Sequence, residues 1–131
     1  MKKHVLLLVL LLVTTICTAQ VSKTAVSVTS SYWSATSRAW VDYNTSSVDI
    51  VFVLYKTKII ANDKAQSKYF IINNRPDYKT DTYSTSSWDC YDEKGRKCIF
   101  SIGFYQGGKQ VFFVFYDDVC FTYTMKSDPF D

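Results

Sequence analysis

A period of two runs through this chain wherever a period can be read, and no other feature constrains the fold as strongly. Val48, Ile50, Phe52 and Leu54 alternate with Asp49, Val51, Val53 and Tyr55. Such β-branched and aromatic alternation suits a strand, whose successive side chains point to opposite faces. Ser67 to Asn73 reads the same way, as does Arg96 to Tyr105, where Cys98, Phe100, Ile102 and Phe104 share one face. Gln110 to Tyr116 and Val119 to Met125 complete a strand-rich C-terminal half, and Ala25 to Trp33, Arg38 to Tyr43, Lys58 to Ala61 and Tyr83 to Tyr91 are further strand candidates. No window of ten or more residues combines helical spacing with good helix formers, so helix is limited to a single turn near Asn62-Asp63-Lys64-Ala65. The expected fold is all-β.

Turn chemistry arranges these strands. Gln106-Gly107-Gly108-Lys109 reads as a two-residue Gly-Gly turn, because glycine takes positive φ without steric cost. Asp92 to Gly95 fits a type I turn ending in a left-handed glycine, and Asp117-Asp118 closes the next hairpin. Chained together, these turns predict an antiparallel meander from about Tyr83 to Met125. Asn74 to Asp81 is expected to be a loop, since Pro76 lacks the amide that a central strand needs. The architecture that follows is an antiparallel β-sandwich or small β-barrel of about seven to nine strands.

Val111-Phe112-Phe113-Val114-Phe115 is apolar on both faces, unlike a strand with one face in water. Either both faces are covered, or one opens onto a partner or ligand. Covering is preferred, because large exposed apolar patches are uncommon on monomers.

The N-terminus reads as an export signal. Lys2 and Lys3 precede nine apolar residues from Val5 to Val13, and small residues follow at Cys17 and Ala19. This is the pattern of a secretory signal peptide, residues 1–19, cleaved after Ala19. Nine apolar residues fall short of the roughly 20 that a spanning helix needs, so no transmembrane span is expected in the mature chain. Lipoprotein processing with acylation of Cys17 is the weaker alternative, since Thr14 and Ile16 depart from the usual pattern. The mature chain, residues 20–131, is then expected to be a single all-β domain, periplasmic or secreted.

Cleavage changes the chemistry available. His4, the only histidine, leaves with the signal, and loss of Lys2 and Lys3 takes the 15 basic residues to 13 against 12 acidic ones. A balance of +1 offers no field to attract nucleic acid. Without imidazole the chain has no Ser-His-Asp or Cys-His site. Three cysteines remain, and a zinc site needs four ligands, so no metal is expected. No glycine-rich phosphate loop opens a helix, and no cofactor is expected.

Among the cysteines, a Glu93-Lys94-Gly95 loop brings Cys90 opposite Cys98. Directly opposed Cβ atoms lie about 4.5–5.5 Å apart, within reach of a disulfide after local adjustment. In an oxidising compartment that bond is expected, with Cys120 an unpaired thiol, buried and inert in the simplest reading. Asp89, Asp92 and Glu93 form the densest acidic cluster. Turn formation accounts for them more simply than hydrolysis does.

The 3 Trp, 10 Tyr and 9 Phe all lie in the mature chain. Trp33 and Trp40 sit on strand-like alternation and read first as plugs at the ends of the fold. The binding candidates are Trp88, Tyr83, Tyr78 and Trp33, flat amphipathic rings near polar segments or strand ends. Many rings without a catalytic set favour recognition over turnover. The expected function is non-enzymatic binding of a protein or glycan at the cell envelope. The alternatives are an up-and-down barrel carrying a small hydrophobic ligand within Val111 to Phe115 and a carboxylate-dependent hydrolase.

Overall fold

The computed structural model describes residues 21–126. The expected signal peptide and Cys17 lie outside them. Nine antiparallel strands form one sheet: β1 (Val21–Ser34), β2 (Ala39–Leu54), β3 (Lys58–Asn62), β4 (Ser67–Asn74), β5 (Tyr78–Lys79), β6 (Tyr83–Asp92), β7 (Lys97–Tyr105), β8 (Gln110–Phe115) and β9 (Val119–Met125). No helix occurs among the described residues.

The strand order is β4-β3-β2-β1-β9-β8-β7-β6-β5, and β4 also pairs with β6. That extra pairing runs from Tyr69 opposite Asp92 to Asn74 opposite Trp88. The hydrogen-bond ladder therefore returns on itself through eight strands. The free edge of β6 is shared, with β4 along one stretch and β5 along another.

Strands β6 to β9 form the meander that alternation and turns predict. At the first hairpin the Asp92 amide donates to the Arg96 carbonyl at 2.9 Å, and Gly95 has φ of 78°. Asp117 and Asp118 close the third, where the Tyr116 amide donates to the Val119 carbonyl at 2.8 Å. The middle hairpin differs from expectation. The Tyr105 amide donates to the Lys109 carbonyl at 2.8 Å, so three residues form its loop. Gly107 and Gly108 do take positive φ, 94° and 86°.

Two further expectations are corrected. The segments expected as separate strands at Arg38 to Tyr43 and from Val48 onward are one strand, β2, of 16 residues. The polar stretch between them pairs along β1, with Ser47 opposite Ser27 and Thr45 opposite Thr29. The loop expected from Asn74 to Asp81 contains the two-residue β5, paired to the edge of β6 beyond Pro76.

Three bulges bend the sheet. Val26 in β1, Tyr43 in β2 and Ile72 in β4 have no opposite partner in the flanking register. They are 42 %, 58 % and 50 % exposed. An extra residue bends its own strand and sharpens the local twist, which lets so few strands curl far enough to meet again.

The core fills one face of this curl. Phe52 lies 4.8 Å from Tyr123, 5.2 Å from Phe112 and 6.0 Å from Phe100 by ring centroids. Tyr69 adds a fifth ring, 5.8 Å from Phe100. Burying each such side chain contributes about 1.5–3 kcal/mol, and tilted or edge-to-face pairs add about 0.5–1.5 kcal/mol. Ile59, Ala61, Ala25, Val114 and Met125 close around the rings.

Candidate functional site

The opposite face of the same strands carries different chemistry, and register assembles it. Asp42 of β2 lies opposite Ser31 of β1, Ser31 opposite Cys120 of β9, and Cys120 opposite Phe115 of β8. A second row runs from Thr122 of β9 through Phe113 of β8 and Ser101 of β7 to Ser87 of β6. Both rows point away from the core, because side chains alternate along each strand. They line a half-open groove of about 450 Å³ with Trp40, Thr85 and Tyr83.

Rings form its walls. Trp40 lies 6.0 Å from Phe115. Phe115 stacks on Phe113 at 5.5 Å with 14° between planes, and Trp33 meets Trp40 edge-on at 5.6 Å. On the far side Tyr83 lies 5.9 Å from Tyr78 and 5.2 Å from Tyr105. Gly103 in β7 makes room for Phe113, since a Cβ there would lie 3.2 Å from the Phe113 ring.

The floor is polar although buried. Ser31 and Ser101 are 3 % and 5 % exposed. Ser31 Oγ donates to Asp42 Oδ1 at 2.6 Å, and Ser101 Oγ shares a 2.7 Å bond with Ser87 Oγ. Buried hydroxyls need such partners, because an unmet one costs about 1–3 kcal/mol. Cys120 is also buried in the floor, 3.9 Å from Thr122 Oγ1. Burial pushes its thiol up to about 11, so it is neutral and poorly nucleophilic near neutral pH.

The aromatic residues singled out from sequence separate into two groups. Tyr83 lines the groove, while Tyr78 and Trp33 each stand one ring behind a lining ring. Trp88 does not join them. It is half-buried against the core, opposite Phe100, and borders a separate hollow with Arg75 and Asp77. Trp40, read first as a plug, lines the groove, as do Phe113 and Phe115, named from sequence only within the Val111 to Phe115 run, and the serines, which sequence reasoning missed. The two-sided run at Val111 to Phe115 was the available signal. Its Phe112 and Val114 are buried in the core, while Phe113 and Phe115 on the other face stay half-buried in the groove.

The cysteine pair needs a correction. Cys90 and Cys98 are cross-strand partners as the turn predicts, but both are free thiols. Counting alternately from the hydrogen-bonded Asp92–Arg96 pair places Cys90 and Cys98 at a hydrogen-bonded position as well. There side chains lie farther from each other than at the intervening positions, with Cβ atoms wider apart than the roughly 3.5–4.5 Å of a disulfide. Burial lifts Cys90 to about 11, and burial together with the neighbouring Cys90 lifts Cys98 to about 12.

The acidic cluster is divided by the pleat. Asp89 lines another half-open hollow, as do Cys90, Cys98 and Tyr116. It accepts from Arg75 Nη1 at 2.9 Å and Asn73 Nδ2 at 2.6 Å, and these bonds hold its carboxyl below the usual range. Asp92 lies on the other side of β6, at its C-terminal end. Burial pushes it up, but donors from the Arg96 amide, Tyr116 hydroxyl, Arg96 guanidinium and Lys94 amide outweigh burial and leave it low. Arg96 also covers the Tyr116 ring at 4.6 Å. Glu93 accepts from the Lys68 amide. These carboxylates are committed to turns and clips. Among the described residues no three His, Cys, Asp or Glu side chains gather as a metal-binding group, and no helix is long and apolar enough to cross a membrane.

No protein-family model, curated protein or solved structure matches the chain.

Proposed function

We propose that this protein is a non-enzymatic binding module of the cell envelope, exported by removal of residues 1–19, that recognises a glycan in the groove between Trp40 and Tyr83. The observation carrying this reading is the groove's composition: aromatic walls above a floor of buried hydroxyls. Sugars combine apolar C–H faces with a rim of hydroxyls, and such a site meets both needs. The β4–β6 pairing supports reading the sheet as a small closed barrel in place of a sandwich.

Other observations weigh against the alternatives. Phe52, Phe100, Phe112 and Tyr123 occupy the volume in which a hydrophobic-ligand carrier would hold its cargo. A carboxylate hydrolase needs a carboxyl raised to serve as an acid, whereas Asp89 and Asp92 are lowered.

The test is a glycan-array screen of the chain from residue 20 onward, with Trp40→Ala alongside and its fold checked by circular dichroism. The reading predicts capture of at least one glycan class, weakened roughly ten-fold or more in Trp40→Ala. Absence of capture, or equal capture by the variant, overturns it. Export is tested separately by N-terminal sequencing of envelope or medium fractions, where Gln20 is the expected first residue.

A further inference from the structure

We infer that the groove selects an uncharged saccharide and discriminates against uronates and sulfated glycans. The inference rests on the glycan reading and concerns the charge of the ligand. No lysine or arginine is among the described residues that line the groove; its one charged side chain is Asp42.

A carboxylate can only accept hydrogen bonds. Asp42 Oδ1 takes the Ser31 hydroxyl, and Oδ2 has no protein donor among the described residues. That free oxygen suits a sugar hydroxyl, which donates. It repels a carboxylate or sulfate, which brings acceptors and like charge. The floor repeats this preference in neutral form. Ser87 and Ser101 hold two hydroxyl hydrogens between them, and their mutual bond uses one. One donor and several lone pairs remain for a ligand that both gives and accepts.

The walls add a second requirement. Trp40 and Phe115 on one side and Tyr83 on the other line the groove with rings, whose faces are rich in electron density. Such faces favour weakly positive C–H groups over anions. A ligand with a flat apolar face and hydroxyl edges satisfies walls and floor together. An anionic sugar would have to shed water with no cation to replace it.

Isothermal titration calorimetry tests this with cellotetraose and chitotetraose as neutral probes and tetragalacturonate and a heparin tetrasaccharide as anionic ones. The expected result is saturable binding of a neutral probe, with anionic probes weaker by roughly ten-fold or more. Asp42→Asn, which keeps an acceptor for Ser31, should narrow that gap by improving the anionic probes. Anionic probes that bind as tightly as neutral ones, and lose that binding in Trp40→Ala, overturn the charge selection while leaving the groove as the site. If no probe of either class binds, or if Trp40→Ala binds like the parent chain, the glycan reading falls with it.

Discussion

The Trp40 and Phe115 rings lie 6.0 Å apart although β1 and β9 run between the strands that carry them. A flat sheet would hold strands three places apart at about 14 Å. Their approach reflects the length of the two side chains, which meet across the Ser31 and Cys120 positions of the intervening strands. The bulge at Tyr43 adjoins the paired Asp42 and Ser31. The walls of the groove thus reach over its floor, and changes to the floor should be felt at the walls.

Gly103→Ala probes that coupling. The new Cβ would meet the Phe113 ring at 3.2 Å, so the ring must yield by a few tenths of an ångström. Replacing a strand glycine is worth about 0.5–1 kcal/mol, and the tight contact costs about 1–3 kcal/mol. Urea denaturation should show an outcome between no net change and a loss of about 2.5 kcal/mol. Aromatic NMR resonances of Phe113 and Phe115 should move while those of Phe52 stay in place.

Phe52→Ala strikes the other face. It removes the ring that contacts Phe100, Phe112 and Tyr123 at once. The expected loss is about 3–5 kcal/mol by urea denaturation, with Phe52→Leu costing less. A loss below about 1 kcal/mol would show that these rings are not the centre of the core.

Stability should fall at both extremes of pH, for opposite reasons. Cys90, Cys98 and Cys120 titrate at about 11, 12 and 11 in the folded protein, against about 8.5 when unfolded. Their contribution is complete below about pH 8.5 and is lost as pH rises toward 12, because the unfolded chain releases its protons first. Burial raises Tyr69, Tyr116 and Tyr123 in the same sense. Asp92 is lowered, so its contribution is present above about pH 3.9 and is lost as pH falls below that value. The thermal midpoint should be level from about pH 5 to 8 and fall on either side.

The three thiols of the chain from residue 20 onward should be free and protected. Ellman's reagent should label none in the native protein within minutes and three after unfolding in guanidinium. A count of one after unfolding would mean that Cys90 and Cys98 had joined despite their wide hydrogen-bonded spacing.

How much of this could be read from the chain depended on how local each feature is. Val119–Met125 is bounded as alternation and the Asp117-Asp118 turn indicate, because both signals lie within a few residues. The unity of β2 was hidden because Asn44 to Ser47 lacks apolar alternation, and only pairing with β1 makes that stretch a strand. The groove was harder still. Tyr83 stood out as a ring beside a polar segment, but Ser31, Ser87 and Ser101 are ordinary serines until register across six strands gathers them. Trp88 misled for the converse reason. Its serine-rich neighbours suggested exposure, while strand parity turns its ring toward Phe100 and the core.

Ligand binding on the face opposite the core is tested most directly by amide chemical-shift mapping. A 15N-labelled chain from residue 20 onward is titrated with cellotetraose and chitotetraose. The amides of Ser31, Asp42, Ser101, Phe113, Cys120 and Thr122 should shift together along one saturating curve. Shifts confined to the hollow that Asp89 lines with Ile72 and Tyr91, or no shifts with either sugar, would contradict it.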